Sequence, residues 1–116
     1  MQYLLLIYAN EAETAALPEA EMATMMAGYG EFTKAIVQAG NFKAGDRLRP
    51  VSTATTVRVR NGKTMTTDGP FAETREQLGG YYLVEAANLD EATAIAARIP
   101  GASYGSVEVR PIWMQG

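Results

Sequence analysis

Residues 2–8 read Gln2-Tyr3-Leu4-Leu5-Leu6-Ile7-Tyr8, an almost unbroken apolar run, and such a run without alternation is the pattern of a strand covered on both faces. Residues 10–16 are small and polar and predict a loop. Pro18 followed by Glu19 and Glu21 has the form of a helix first turn, with acids near its positive end. Over residues 19–39 the bulky apolar positions are Met22, Met25, Met26, Tyr29, Phe32, Ile36 and Val37, the three-or-four spacing of one buried helical stripe. Gly40 then supplies the left-handed stop. Methionine adapts to irregular partners, so the Met-rich part of the stripe admits a binding surface, but we read the whole stripe as a core face.

Residues 42–48 predict a second strand, with Gly45 marking a bulge or a close approach to the backbone. From Ser52 to Arg60 β-branched residues alternate, Val57 and Val59 on one face and Arg58 and Arg60 on the other. Asn61-Gly62 is a hairpin signal leading into residues 63–67, a hairpin either inserted in the fold or continuing the sheet. Residues 78–86 predict another strand, Tyr82 and Val84 facing one way and Tyr81 and Leu83 the other. Asn88 and Glu91 have capping-box spacing ahead of a second helix with Leu89, Ala92, Ile95, Ala96 and Ile99 inward. Pro100-Gly101 ends that helix, and residues 106–112 form the last strand. The order strand, helix, strand, hairpin, strand, helix, strand matches an α+β, ferredoxin-like antiparallel sheet with two helices on one face. The opposite face then needs an apolar cover, for which a second copy of the chain is the simplest choice.

A chain of 116 residues predicts a single domain over residues 1–116. The formal charge of −3 offers no net positive field to a phosphate backbone, so direct nucleic-acid binding is not expected. The closest basic grouping, Arg47, Arg49, Arg58 and Arg60, is diluted by Asp46 and amounts to a local anion site at most. The first residues lack a basic n-region and a clear cleavage site, and no apolar run approaches a membrane span, so a cytoplasmic protein without membrane association is expected. The chain has no cysteine and no histidine. Thiolate chemistry, thiolate-bound zinc and histidine acid–base catalysis are thereby excluded, leaving Asp, Glu, Lys and Tyr for proton transfer. No carboxylate cluster suggests a metal and no phosphate-loop pattern accompanies Gly79-Gly80, so neither metal nor cofactor is expected.

The run from Thr67 to Tyr82, Thr-Asp-Gly-Pro-Phe-Ala-Glu-Thr-Arg-Glu-Gln-Leu-Gly-Gly-Tyr-Tyr, resembles the signature of the DGPF branch of the YCII-related family. The opening run Tyr3 to Tyr8, the strand Thr55-Thr56-Val57-Arg58 and the closing segment Tyr104 to Ile112 are also similar to that family, so the likeness spans nearly the whole chain. The resemblance implies a ferredoxin-like fold paired sheet to sheet as a dimeric α+β barrel, with a pocket near the motif's Asp. It further implies a small-molecule ligand or substrate, or an accessory role beside an alternative sigma factor of the extracytoplasmic type. The His and Asp pair thought to act in some relatives cannot operate in a chain without histidine.

Asp68 carries two readings. Before Gly69-Pro70 it can bond its own downstream backbone N–H groups as turn chemistry, or, desolvated at a pocket edge, it can act as a general acid or base. Phe71 is read as a plug under a loop, with a substrate platform as the alternative. Arg75 is a candidate partner for a ligand carboxylate, against a solvated turn of local ion pairs. Tyr8 and Tyr82 sit on strands from which a phenol can aim into a cavity. Arg47 is the candidate cation for an anionic ligand, against a plain surface ion pair. Gly79-Gly80 permits close approach of a neighbouring backbone or of a ligand, and Trp113 covers an edge or a dimer seam.

Overall fold

A computed structural model describes residues 1–114 of the chain. Strand β1 (Gln2–Ala9) is followed by a short helix α1 (Glu11–Ala15), a long helix α2 (Glu19–Gln38) and strand β2 (Phe42–Arg47). A 3-10 turn (Val51–Thr53) leads to the hairpin β3 (Thr55–Arg60) and β4 (Lys63–Asp68). Strand β5 (Gln77–Glu85), helix α3 (Leu89–Ala97), a second 3-10 turn (Pro100–Ser103) and strand β6 (Ser106–Pro111) complete it. β2, β5, β1 and β6 form one antiparallel sheet in that order, which is the ferredoxin-like arrangement.

The side-chain period of two divides each central strand between two environments. Tyr3, Leu5 and Ile7 of β1 and Tyr82 and Val84 of β5 are buried against Phe32 and Ile36 of α2 and Ala92, Ile95 and Ala96 of α3. Leu5, Ile36, Val84 and Ile99 are fully enclosed, and each such side chain contributes roughly 1.5–3 kcal/mol by leaving water. Arg98, just past α3, places its guanidinium 5.8 Å from the centre of the Phe32 ring. On the other face Leu4 lies opposite Leu83 and Leu6 opposite Tyr81, and these side chains remain partly exposed with no layer over them.

The hairpin is inserted rather than continuing the sheet: β3 and β4 pair only with each other. Asn61 (φ 52°) and Gly62 (φ 76°) hold the two positive dihedrals that a tight turn of this kind demands. Because this ribbon projects from the body, the radius of gyration is 16.2 Å and the extents are 47 × 47 × 19 Å, where a compact domain of this length has a radius of about 13 Å.

Four local expectations are corrected. Residues 11–15 are helical rather than loop, because the Asn10 side chain accepts from the backbone N–H of Glu13 at 2.9 Å and caps a first turn rich in acids. The segment from Ser52 starts with a 3-10 turn, and its strand begins only at Thr55. Leu89 is exposed, since it opens the first turn of α3 beyond the rim of the sheet. The apolar stripe of α2 is core only at Phe32 and Ile36; Met26 and Val37 are exposed, and Met22 and Met25 are half-buried.

Candidate functional site

Why the methionines stay out of the core becomes clear between the N-terminal half of α2 and the end of the sheet, where a cavity of about 430 Å³ opens. Met22, Met25 and Met26 form its helix wall, and Tyr29 and Thr33 continue the same stripe into it. Its sheet wall includes Ile7, Gly45, Arg47, Gly80 and Tyr82, and residues 48 and 50 and the turn at Gly101 close its ends.

Tyr82 is the best-fixed group in the wall. Its ring meets Phe32 edge-on at 5.1 Å and Phe42 at 6.4 Å between centroids. Its hydroxyl lies 2.7 Å from that of Thr33, whose own O–H donates to the Tyr29 carbonyl at 2.9 Å. With the Thr33 proton so committed, Tyr82 is the donor in the pair. Gly45 makes room for this ring: a Cβ there would stand 2.7 Å from Tyr82 Cδ1, so the close approach inferred at Gly45 is that of a side chain across the strands.

Tyr29 abuts Gly101, where a Cβ would come within 2.6 Å of the phenol oxygen. Burial pushes its pKa above the ordinary tyrosine value, against the opposing pull of the Gly101 backbone and of Arg47, so Tyr29 presents a neutral O–H at neutral pH. Among the described residues that proton goes to no protein acceptor, and Arg47 has no ion-pair partner. Asp46 belongs to the opposite face: it alternates with Gly45 and Arg47 along β2 and accepts from the Tyr81 hydroxyl at 2.7 Å. That hydrogen bond, and then the negative charge of Asp46, hold Tyr81 above the usual tyrosine pKa. The Glu11 carboxylate accepts from the backbone N–H of Val51 at 3.0 Å, tying α1 to the loop at the cavity end.

Of the candidate residues, the fold brings Arg47 and Tyr82 together on this cavity. Tyr8 sits on the uncovered face of the sheet beside Ser106, because it is odd with Ile7 in the strand alternation. Asp68 ends β4 opposite Thr55 and is exposed, so in the single chain the motif's Asp is not part of the cavity wall. The hydrogen bonds next to it are those of Gly69 and run across the strand pair rather than from the Asp68 side chain: the Gly69 N–H donates to the Ala54 carbonyl and the Gly69 carbonyl accepts from the Thr56 hydroxyl at 2.9 Å. The plug reading of Phe71 is corrected, since the ring is 79% exposed on the loop that leaves the hairpin. Arg75 is exposed, and its carbonyl accepts from the Asn10 side chain at 3.3 Å. Trp113, expected over an edge or seam, is 93% exposed in the single chain. At Gly80 the close neighbour is backbone, with a Cβ position 3.0 Å from the Asp46 carbonyl oxygen.

Tyr29 and the three methionines, which the sequence reading assigned to core, line the cavity, as does Thr33, which that reading did not single out. The signal was available in Thr33, a hydroxyl one turn beyond Tyr29 in an otherwise apolar stripe. No helix among the described residues is long and apolar enough to cross a membrane, and no group of three or more acidic residues there could hold a metal ion.

The chain is 41% identical over 114 residues to an uncharacterised protein of Rhizobium meliloti (strain 1021), an alignment covering 97% of this chain and 92% of that protein. The family model of the YCII-related domain matches residues 1–114. With the ferredoxin-like sheet and a match of that extent, the chain belongs to the YCII-related domain family.

Proposed function

We propose that this YCII-related protein is a homodimeric small-molecule-binding protein whose ligand occupies the cavity between α2 and the sheet. The observation that carries the reading is a mostly apolar cavity of about 430 Å³ with a few convergent polar groups, the usual make-up of a small-molecule site. Dimerisation is supported by the uncovered face of Leu4, Leu6 and Leu83, which a second sheet would cover. A catalytic role for Asp68 belongs to the assembled dimer, since in one chain the residue is exposed and apart from the cavity. A panel of small carboxylates, phenols and lactones is screened by thermal shift against wild type and Met25→Trp, which fills the cavity. A ligand of the native state raises the melting temperature by mass action, and the rise is lost in the filled variant. No rise with any compound in a folded wild type defeats the reading.

A second reading rests on the projecting ribbon. Val57 and Val59 share one face of the ribbon and are each more than half exposed, Met65 is exposed beside Arg58 on the other face, and Phe71 is 79% exposed on the loop that follows. The Val57/Val59 face is suited to a protein partner. An accessory module for an extracytoplasmic-type sigma factor would use this surface. Co-expression with such a factor, comparing wild type with Val57→Ser/Val59→Ser/Phe71→Ser, tests it: equal recovery of the factor with both forms removes the ribbon from the interaction.

A further inference from the structure

We infer that the cavity selects a compact monoanion with a flat apolar body, an aromatic carboxylate in chemical class, its charged end taken by Arg47 and Tyr29. The inference rests on reading the cavity as a ligand site and specifies what enters it.

The polar inventory decides the class. Three side-chain donors on the cavity are uncommitted among the described residues: the Arg47 guanidinium, the Tyr29 hydroxyl and the hydroxyl of Tyr104, a residue 62% exposed. A planar guanidinium beside a neutral phenol matches a carboxylate, which accepts a charge-assisted hydrogen bond from the first and an ordinary one from the second. The two carboxylates nearest the rim are both engaged elsewhere. Asp46 accepts from Tyr81 on the other face of the sheet, and Glu11 accepts from Val51. Arg47 is therefore not neutralised by the protein, yet it is the single cation in the wall, so a second negative charge on the ligand would stand uncompensated beside Glu11.

The walls set the body. Met22, Met25 and Met26 offer flexible, polarisable thioethers that favour contact with an aromatic ring, and Tyr82 presents a ring held edge-on by Phe32. A cavity of about 430 Å³ fits a ligand on the order of ten to twenty non-hydrogen atoms, at the small end of the usual range. The Thr33 and Tyr82 hydroxyls bond each other and the Tyr29 carbonyl, so what they have left to offer is lone pairs. A hydroxyl on the ring's far end would find an acceptor there.

The test uses isosteric probes, naphthalene-2-carboxylate and naphthalene-2-carboxamide, with calorimetric titration of the full chain. The carboxylate is expected to bind at least about tenfold more tightly than the amide, the scale of one charge-assisted hydrogen bond. That preference falls to near unity in Arg47→Met, survives in part in Arg47→Lys, and is weakened in Tyr29→Phe. Arg47 is exposed, so its variants keep the fold, which an unchanged melting temperature verifies. Equal binding of both probes to wild type overturns the anion class while leaving the cavity as a site. Tighter binding of naphthalene-2-phosphate than of the carboxylate overturns the single-charge argument. Binding of none of the three removes the cavity reading itself, and this inference falls with it.

Discussion

Gly45→Ala is the substitution whose effect the structure constrains most closely. The new methyl would lie 2.7 Å from Tyr82 Cδ1, 3.0 Å from Cε1 and 3.2 Å from the Tyr81 carbonyl oxygen, so something must move. The ring cannot swing aside freely, because Phe32 and Phe42 flank it and its hydroxyl is bonded to Thr33 at 2.7 Å. Overpacking of this kind costs about 1–3 kcal/mol, offset by up to roughly 1 kcal/mol from the reduced freedom of alanine in the unfolded chain. The net expectation is a loss of about 1–2 kcal/mol, or a melting temperature lower by roughly 4–8 °C for a domain of this size. A double-mutant cycle with Tyr82→Leu separates the ring from every other cause. In the leucine background the flanked and anchored ring is gone, the flexible side chain can turn aside, and the cost of Gly45→Ala falls to that of the 3.2 Å contact with the Tyr81 carbonyl. The coupling is then about 1 kcal/mol in urea unfolding followed by circular dichroism. A cost equal in the two backgrounds, or a stabilised single variant, would refute the reasoning.

Other perturbations have equally definite signs. Ile36→Ala removes a fully enclosed side chain from the centre of the core and lowers unfolding free energy by about 2–5 kcal/mol in urea titration, while Phe71→Ser, at an exposed ring, changes it by less than about 0.5 kcal/mol. Asn10→Ala removes the cap of α1 and its bond to the Arg75 carbonyl, a loss of about 1 kcal/mol visible as a lower denaturation midpoint. Tyr81 donates to Asp46, so its folded-state pKa lies above the ordinary value near 10; its contribution is complete below that value and is lost as pH rises through the raised one. Tyr81→Phe should therefore flatten the alkaline fall in stability, and an identical fall in variant and wild type would contradict the assignment.

The sheet was legible because its strands carry their environment in their composition. The unalternating run 2–8 and the Tyr82/Val84 alternation named central strands, and their buried sides are the ones now facing α2 and α3. The Asn61-Gly62 turn was equally plain, since only a few residues tolerate two positive dihedrals in succession. What was not legible depends on distances between separate segments. Arg47 and Tyr82 were named as binding candidates, but nothing in a sequence says that the chain from residue 48 to 76 carries Asp68 and Phe71 away from them on a ribbon of its own. Asn10 was missed as a cap because Glu11, Ala12 and Thr14 lack any apolar periodicity to announce a helix.

The stripe on α2 shows why a period alone could not separate core from site. Helical spacing places Met22, Met25, Met26, Tyr29, Phe32, Thr33 and Ile36 on one side, but the sheet beneath them is not equally close along the helix. At the C-terminal half Phe32 and Ile36 meet Leu5 and Val84 and are sealed. At the N-terminal half Met22, Met25 and Met26 line the cavity instead. The glycines of its sheet wall do not create that volume, since the space at Gly45 is taken by the Tyr82 ring and that at Gly80 by the β2 backbone. The same stripe thus divides into a part that holds the fold and a part that lines the cavity where the proposed ligand would sit. Substitutions at Phe32 or Ile36 should register first as stability, and those at Met22 or Met25 first as affinity. A helix of uniform apolar spacing meets two environments because its C-terminal half packs into the core at Phe32 and Ile36 while its N-terminal half borders the cavity.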